Sequence, residues 1–212
     1  MARIDDYKES FRLASEELKG VNPHRVAKLG GATVDLDAQD RPQITLRFFN
    51  NDVAITIGEE IEIQQLEDSR EVSLPEKIIL CHYLLGSDGS RLTNNLINFR
   101  QIPDGHFYFS AFQKRATEPL LMTFGNAPET LLQCGEKIGA VVAQYGDFSI
   151  TVPALPKIPI TLVLWKGDDE FPPEASILFD ETIMKYLPVE DVAVISGMTV
   201  YKLMGIKKTL ES

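Results

Sequence analysis

The chain has 212 residues, of which 44% are hydrophobic and 25% are charged, a balance typical of globular proteins and unlike that of disordered chains. Its 31 acidic and 21 basic side chains give a formal net charge of −10. A surface of this sign repels phosphate backbones and anionic lipid headgroups. No basic run is long enough to override it, so we predict neither nucleic-acid nor membrane binding.

Targeting and cysteine patterns point to a reduced, cytoplasmic setting. No stretch reaches the roughly 18–20 consecutive apolar residues of a spanning helix, and Met1–Ser10 lacks the apolar segment of a signal peptide. The two cysteines, Cys81 and Cys134, lie in apolar patterns and are predicted to be buried thiols. Because an iron–sulfur cluster usually takes about four thiolates, we expect none from this chain alone, and no other cofactor motif is evident.

The first part of the chain predicts helices around an antiparallel meander. Apolar residues at spacings of three and four predict a helix that ends at Gly20, and a second helix is predicted from Pro23 to the Gly30-Gly31 pair. Alternating apolar and polar residues over 32–57, interrupted by turn residues, predict paired strands, with a further strand near Ile61. Ser73 and Glu76 have the spacing of a capping box, which predicts a buried helix after them.

The second part of the chain predicts a further set of strands and helices. Aromatic residues over Gly105–Phe112 predict a strand, and Asn126 and Pro128 predict the start of a helix. The later predicted elements are strands at 141–145, 148–152 and 160–165, and helices at 176–186 and 189–204.

These elements predict an α+β fold, with antiparallel sheet regions flanked by helices, in a single domain spanning 1–212. The order of helix, strands and helix occurs loosely twice, over 23–86 and over 128–187. That repetition leaves open an internal duplication into two similar halves.

The acidic segment Trp165–Glu174 is the most distinctive local feature. It follows a predicted buried strand and is stiffened by the consecutive prolines Pro172 and Pro173. Loops at strand ends often carry binding sites, and carboxylate oxygens suit a hard cation. The candidate ligand-binding residues of this region are Trp165, Asp168, Asp169, Glu170, Glu174 and Asp180. The alternative is a solvated acidic loop.

Two further residues invite a functional interpretation. Arg100 lies among apolar neighbours, where it could clamp an anionic ligand bidentately or pair with a carboxylate of the acidic segment. His82 is a candidate metal ligand or, alternatively, a core histidine whose polar atoms are satisfied. It cannot readily share a metal with Cys81, because adjacent helical residues point about 100° apart.

Several segments together resemble a known family. They are Ile79-Leu80-Cys81-His82-Tyr83-Leu84-Leu85, Phe99-Arg100 with Pro103-Asp104-Gly105, and above all Leu162-Val163-Leu164-Trp165-Lys166-Gly167-Asp168-Asp169-Glu170-Phe171-Pro172-Pro173-Glu174-Ala175-Ser176-Ile177-Leu178-Phe179-Asp180. The family consists of uncharacterised proteins of anaerobic bacteria and archaea and is catalogued as a domain of unknown function. Some members carry a cysteine-rich iron–sulfur segment, which this chain lacks. The resemblance implies anaerobic redox or corrinoid metabolism and brings no catalytic residues.

Three functional hypotheses follow. The leading one is a non-catalytic accessory or ligand-binding protein of anaerobic metabolism, with an iron–sulfur or corrinoid protein as partner and a site around the acidic segment and Arg100. The second is an enzyme of unfamiliar design that uses a divalent cation at the acidic segment. The third is a structural protein that binds a partner. Homo-oligomerisation stays open.

Overall fold

The computed structural model describes residues 4–67 and 70–211 and confirms the α+β fold with two antiparallel sheets. It divides the chain into two compact units. One contains the chain up to Arg91 with the short segments Leu155–Lys157 and Lys185–Pro188, and the other contains the remainder. The single domain over 1–212, which includes termini and a segment outside the described residues, stays a prediction, as does the duplication of 23–86 and 128–187.

The first unit contains the predicted meander and the helices that cover it. Its elements are α1 (Ile4–Lys19), α2 (Pro23–Gly30), β1 (Thr33–Leu36), β2 (Pro42–Phe48), β3 (Asn51–Ile57), β4 (Ile61–Gln65) and α3 (Leu74–Gly86). The strands pair in chain order, β1-β2-β3-β4, with every pair antiparallel. The meander prediction is therefore confirmed.

Local sequence signals set the ends of these helices as expected. The Asn22 side chain accepts a hydrogen bond from the Arg25 N–H at 3.1 Å, and Gly31 ends α2 with a φ of 70°, a conformation that glycine adopts at little cost. At the start of α3 the Ser73 N–H donates to the Glu76 carboxylate at 2.8 Å, which confirms the capping box.

Helix α3 is buried because it packs on more than one side. Tyr83 lies in the last turn of α3, where its hydroxyl donates to the Gly30 carbonyl at 2.6 Å and accepts from the Lys157 N–H at 3.1 Å. Its ring stacks on that of Tyr186 with a centroid separation of 5.8 Å. These contacts account for the nearly continuous apolar sequence of the helix.

The second unit contains the other sheet, with strand order β5-β9-β8-β7-β6. Its strands are β5 (Leu96–Asn98), β6 (Val141–Val142), β7 (Phe148–Leu155), β8 (Ile158–Trp165) and β9 (Glu174–Asp180). Its α-helices are α4 (Gly105–Phe112), α5 (Glu118–Phe124), α6 (Glu129–Lys137) and α7 (Val189–Leu210). Short 3-10 helices cover Phe99–Gln101 and Glu181–Lys185, and a π-helix over Gln113–Thr117 joins α4 to α5.

The predicted aromatic strand at Gly105–Phe112 is wrong, because this segment is helix α4. The buried residues from here to the end of α5 are Gly105, Phe112, Ala116, Leu120 and Phe124. Their spacing is helical and continues well beyond the aromatic segment. The β preference of aromatic side chains spans only about 1 kcal/mol and gives way to a continuous apolar helix face.

The predicted helix at 176–186 is also wrong over its first half, which forms strand β9. Residues 174–179 pair with β8, with Leu162 opposite Ile177, and β5 pairs on the other side with residues 178–180. These two ladders satisfy much of the backbone of β9 within the sheet. Only Glu181–Lys185 keeps helical geometry, as a 3-10 helix.

No helix in residues 4–67 and 70–211 has both the length and the apolar character needed to cross a membrane.

A buried hydroxyl in the first unit marks a position where a substitution should stabilise the protein. Ser15 on α1 is buried, and its hydroxyl has no hydrogen-bond partner among the described residues. We expect Ser15→Ala to raise the free energy of unfolding by about 1 kcal/mol, because it removes an unsatisfied polar group and adds helix propensity.

Urea unfolding followed by circular dichroism measures the change, with the exposed Ser10→Ala on the same helix as the control. The control variant gains helix propensity alone, which adds about 0.5 kcal/mol or less to the free energy of unfolding. Equal gains in the two variants would contradict the account.

Candidate functional site

The acidic segment forms the loop between the paired strands β8 and β9, and it is closed by its own hydrogen bonds. The Asp168 carboxylate accepts from the N–H groups of Glu170 at 2.8 Å and Phe171 at 2.7 Å. The Asp168 N–H donates to the Phe171 carbonyl at 2.9 Å. These hydrogen bonds, the one from Phe171 first, hold the pKa of Asp168 below its ordinary value.

The loop forms one side of an open cleft of about 510 Å³, and Gly125–Glu129 forms the other side. Lys166 bridges the two sides, with its ammonium 2.8 Å from the Glu129 carboxylate. The same ammonium lies 4.9 Å from the centroid of the Phe148 ring. The side chains of Asp169 and Glu170 line this cleft and are exposed.

Among the described residues, no three His, Cys, Asp or Glu side chains are close enough together to hold a metal ion.

Two further candidates lie at the base of the acidic loop. Trp165 is the last residue of β8, Glu174 is the first of β9, and the two face each other in the ladder. The Trp165 side chain is 39% exposed, so the strand end is only partly covered. Both residues flank the loop without lining its cleft.

Asp180 has a different environment from the acidic loop. It is 3% exposed, and its carboxylate accepts backbone hydrogen bonds from Thr93, Asn94 and Thr182, with the shortest, from Asn94, at 2.6 Å. The Thr182 hydroxyl donates to it as well, at 2.7 Å. Burial acts to raise the pKa of Asp180, but the hydrogen bonds from Thr182, Asn94 and Thr93 outweigh it and the pKa is lowered. Asp180 therefore fixes the segment before β5 to the end of β9.

Arg100 lines a second cavity, of about 330 Å³, to which residues 175–177 of β9 also contribute. It belongs to the 3-10 helix Phe99–Gln101, which begins with a capping box between Asn98 and Gln101. Its guanidinium carbon lies 3.9 Å from the centroid of the Phe109 ring. Among the described residues, no carboxylate pairs with this guanidinium and no acceptor takes a hydrogen bond from it.

The walls of the Arg100 cavity combine aromatic surface with uncharged polar groups. Phe99 and Phe112 stack nearly parallel, with ring centroids 4.1 Å apart. Gln113 and Thr117, the first and last residues of the π-helix, line the cavity, as does Ser176 on β9. The side chains of these three polar residues make no hydrogen bond to the part of the chain that the structure describes.

The structure thus separates the predicted site residues into distinct places. Asp168, Asp169 and Glu170 share one cleft, Arg100 lines another, and Asp180 lies in a buried hydrogen-bond network. None of the three carboxylates of the loop pairs with Arg100 in the described chain.

The first unit contains His82, which is half-buried on α3. Its neighbour Cys81 is fully buried, and this burial raises the pKa of the thiol to about 12. The thiol of Cys81 is therefore protonated and unreactive at neutral pH.

Sequence reasoning missed the partners of Arg100, and one signal could have found them. Residues 105, 109, 112 and 116 have helical spacing, which places Phe109 and Phe112 on one face of a helix next to Arg100. The π-helix that brings Gln113 and Thr117 to the cavity has no comparable sequence signal.

The hydrogen bonds inside the acidic loop predict different effects for two substitutions of Asp168. We expect Asp168→Ala to speed amide hydrogen exchange at Glu170 and Phe171 by about tenfold or more, because both N–H groups lose their acceptor. Asp168→Asn keeps a side-chain oxygen and is expected to preserve most of the protection. NMR exchange rates measure this, and equal rates in the two variants would show that the side chain does not close the loop.

The buried carboxylate of Asp180 predicts a pH-dependent contribution to stability. We expect Asp180→Asn to lower the free energy of unfolding at neutral pH by about 2 kcal/mol, because it removes the charge that strengthens several hydrogen bonds. Since the folded pKa is lowered, the carboxylate stabilises fully above the unfolded pKa of about 4 and loses this effect as the pH falls through the folded value.

Urea unfolding of Asp180→Asn at neutral pH and near pH 3 measures both the loss of stability and its dependence on pH. The difference in the free energy of unfolding between this variant and the unsubstituted protein should be smaller at the lower pH. The control variant Asp169→Asn, at an exposed position, should change the free energy of unfolding little at either pH. A difference that does not depend on pH would contradict the assignment.

Comparison with known proteins gives a family and no function. No curated protein and no solved structure matches the chain. A family model described as a domain of unknown function, DUF3786, matches residues 22–202, a range that includes the acidic loop and Arg100. The chain therefore belongs to the DUF3786 family.

Proposed function

We propose that this protein is a non-catalytic ligand-binding protein whose cavity at Arg100 takes a small anion. The observation that carries the proposal is the Arg100 guanidinium, which lies over Phe109 at the wall of a cavity and pairs with no carboxylate of the described chain. A guanidinium stays protonated at any physiological pH, so an anion that binds here meets a permanent positive charge.

Arg100 is exposed, and its guanidinium carries a positive charge without an ion pair among the described residues. With a net charge of −10, carboxylates are plentiful, yet none neutralises Arg100 among the described residues. An arginine held against an aromatic ring loses less side-chain entropy when it binds, because it is already ordered. Arg100 is therefore prepared to bind an external anion.

The rest of the cavity combines apolar and uncharged polar groups. Ligand cavities use a few polar groups to set the orientation of the ligand. Here the half-buried Phe109 supplies aromatic surface, Phe99 and Phe112 are almost fully buried, and Gln113 and Thr117 supply uncharged polar groups. The last two bound a π-helix, an irregularity that is frequent at functional sites.

The broader setting is also proposed: the family resemblance supports the anaerobic role and the partner, and the charge and sequence patterns support the location and the absence of nucleic-acid binding. We place the protein in the cytoplasm of an anaerobe, as an accessory to an iron–sulfur or corrinoid protein, with no cofactor and no nucleic acid of its own. The acidic residues Asp168, Asp169 and Glu170 remain candidates for a cationic ligand at their separate cleft, with Glu174 beside it at the start of β9.

Thermal denaturation with a panel of ligands tests the proposal. The panel contains acetate, benzoate, inorganic phosphate, Mg²⁺ and Mn²⁺, at equal ionic strength. We expect at least one anion to raise the Tm progressively with its concentration, because a ligand at a hundred times its Kd adds about 2.7 kcal/mol of stability.

The matched variants are Arg100→Gln, which should abolish the anion effect, and Arg12→Gln, which removes an exposed arginine of α1 and should leave it unchanged. Circular dichroism checks that both variants fold. An anion effect that persists in Arg100→Gln, or no anion effect at all, would overturn the proposal. Stabilisation by Mg²⁺ or Mn²⁺ alone would favour the cation-dependent enzyme, and a flat panel would favour the partner-binding protein.

A further inference from the structure

We infer that Pro119 and Gly197 are positioning residues of the Arg100 site, because together they maintain the π-helix that brings two polar side chains to the cavity. This inference rests on the proposed function and adds the residues on which the polar side of the site depends. Neither Pro119 nor Gly197 lines the cavity. The backbone carbonyl of Arg115 links them, because Pro119 cannot donate to it and Gly197 leaves room for it.

The π-helix interrupts what is otherwise one continuous helix. Helix α4 ends at Phe112, the π-helix covers Gln113–Thr117, and α5 begins at Glu118, with helical backbone angles at both junctions. The Glu118 N–H donates to the Gln113 carbonyl, five residues earlier, whereas an α-helix pairs residues four apart. The π turn therefore inserts one extra residue and changes which side chains share a face.

The extra residue keeps three cavity residues on one face of this helix. Phe109, Gln113 and Thr117 are four positions apart in succession, and all three line the cavity. In an α-helix with 3.6 residues per turn, two steps of four would turn Thr117 about 80° away from Phe109. The wider π turn over the second step reverses much of that rotation. The π-helix is thus what keeps Thr117 in line with the ring that contacts Arg100.

The π-helix also leaves the Thr117 hydroxyl available to a ligand. On α7 the hydroxyls of Ser196 and Thr199 donate to the carbonyls four residues earlier, at 2.7 Å and 2.8 Å. Thr117 makes no such hydrogen bond to the part of the chain that the structure describes, and neither does the amide of Gln113. A hydroxyl and an amide can both donate to an anion that also contacts Arg100.

Pro119 opposes the return of this segment to a regular α-helix. It is the second residue of α5 and lies two residues after the π-helix. Proline has no N–H, and inside an α-helix its ring clashes with the carbonyl four residues earlier. That carbonyl belongs to Arg115. An α-helix through this segment would therefore lose one hydrogen bond and gain a clash.

Gly197 provides space for the same carbonyl. It is buried on α7, which packs against the π-helix. A Cβ at this position would lie 3.1 Å from the Arg115 carbonyl oxygen and 3.4 Å from the Arg115 Cβ. Glycine inside a helix is destabilising relative to alanine, so the close approach is the physical reason that favours it here. No described atom, by contrast, lies within 4 Å of a Cβ placed on Gly205 of the same helix.

Isothermal titration calorimetry of the full chain with acetate, benzoate and inorganic phosphate tests the role of Gly197. We expect Gly197→Ala to weaken the tightest of these anions about fivefold or more, because the added methyl group displaces the Arg115 carbonyl and with it the π-helix. The control Gly205→Ala adds the same methyl group to α7 at an open position. It should leave every affinity within twofold.

The same titrations test Pro119, with thermal denaturation as a second measurement. We expect Pro119→Ala to weaken the anion about fivefold or more while the Tm does not fall, because alanine is the better helix former. A general loss of structure would lower both. The control Pro75→Ala removes a half-buried proline from the first turn of α3, where no helix precedes it, and should leave the affinities unchanged.

Amide hydrogen exchange shows whether the helix itself has changed. In Pro119→Ala the new N–H of residue 119 should exchange slowly, because it donates to the Arg115 carbonyl in an α-helical hydrogen bond. Fast exchange at this position would show that proline does not maintain the π-helix and would overturn the inference for Pro119.

The possible failures are distinguishable. If Arg100→Gln abolishes anion binding but either Gly197→Ala or Pro119→Ala leaves it unchanged, the inference is overturned and the proposed function stands. Equal losses in Gly197→Ala and Gly205→Ala would overturn it as well. Should Pro119→Ala not fold, the two glycine variants decide. If no anion binds in an Arg100-dependent way, the proposed function fails and this inference fails with it.

Discussion

The contact between the Arg100 guanidinium and the Phe109 ring is the interaction on which the functional account depends. It needs two local structures in a fixed relation: a short 3-10 helix that presents Arg100 and the helix α4 that presents Phe109. The turn between them permits only a residue without a side chain at Gly105, where a Cβ would lie 2.2 Å from the Phe99 carbonyl oxygen. Asp104, just before it, already has a φ of 61°, so the chain reverses sharply there. The glycine thus allows the helix to begin directly beneath the arginine.

The acidic loop and the Arg100 cavity differ in how far their polar groups are already satisfied. In the loop, Asp168 accepts two backbone hydrogen bonds and Lys166 is paired with Glu129. These groups therefore gain less from an external ligand, because binding would have to replace existing interactions. The Arg100 guanidinium and the side chains of Gln113, Thr117 and Ser176 have no such internal partners among the described residues. A cluster of charges is conspicuous in a sequence, whereas an unsatisfied group is visible only in three dimensions.

Much of the fold could be predicted from the sequence because its signals are local. The cap at Asn22, the capping box at Ser73 and the alternation along β2 and β3 each act within a few residues. One failure occurred where distant pairing decides the structure. Residues 176–180 are apolar enough for a helix but form a strand, because β8 pairs along 174–179 and β5 pairs along 178–180. The aromatic segment became a helix because its apolar face continues to Phe124. Of the candidate site, Arg100 was predictable, while the π-helix and Ser176 were not, since only the tertiary fold brings them to the same cavity.

A crystal structure of the protein soaked in bromide tests the central claim most directly, because the anomalous signal of bromine locates the anion independently of any assumption. We expect a bromide ion in the Arg100 cavity, in contact with the guanidinium nitrogens of Arg100. Crystals in which bromide binds elsewhere on the protein and the Arg100 cavity holds none would contradict the account.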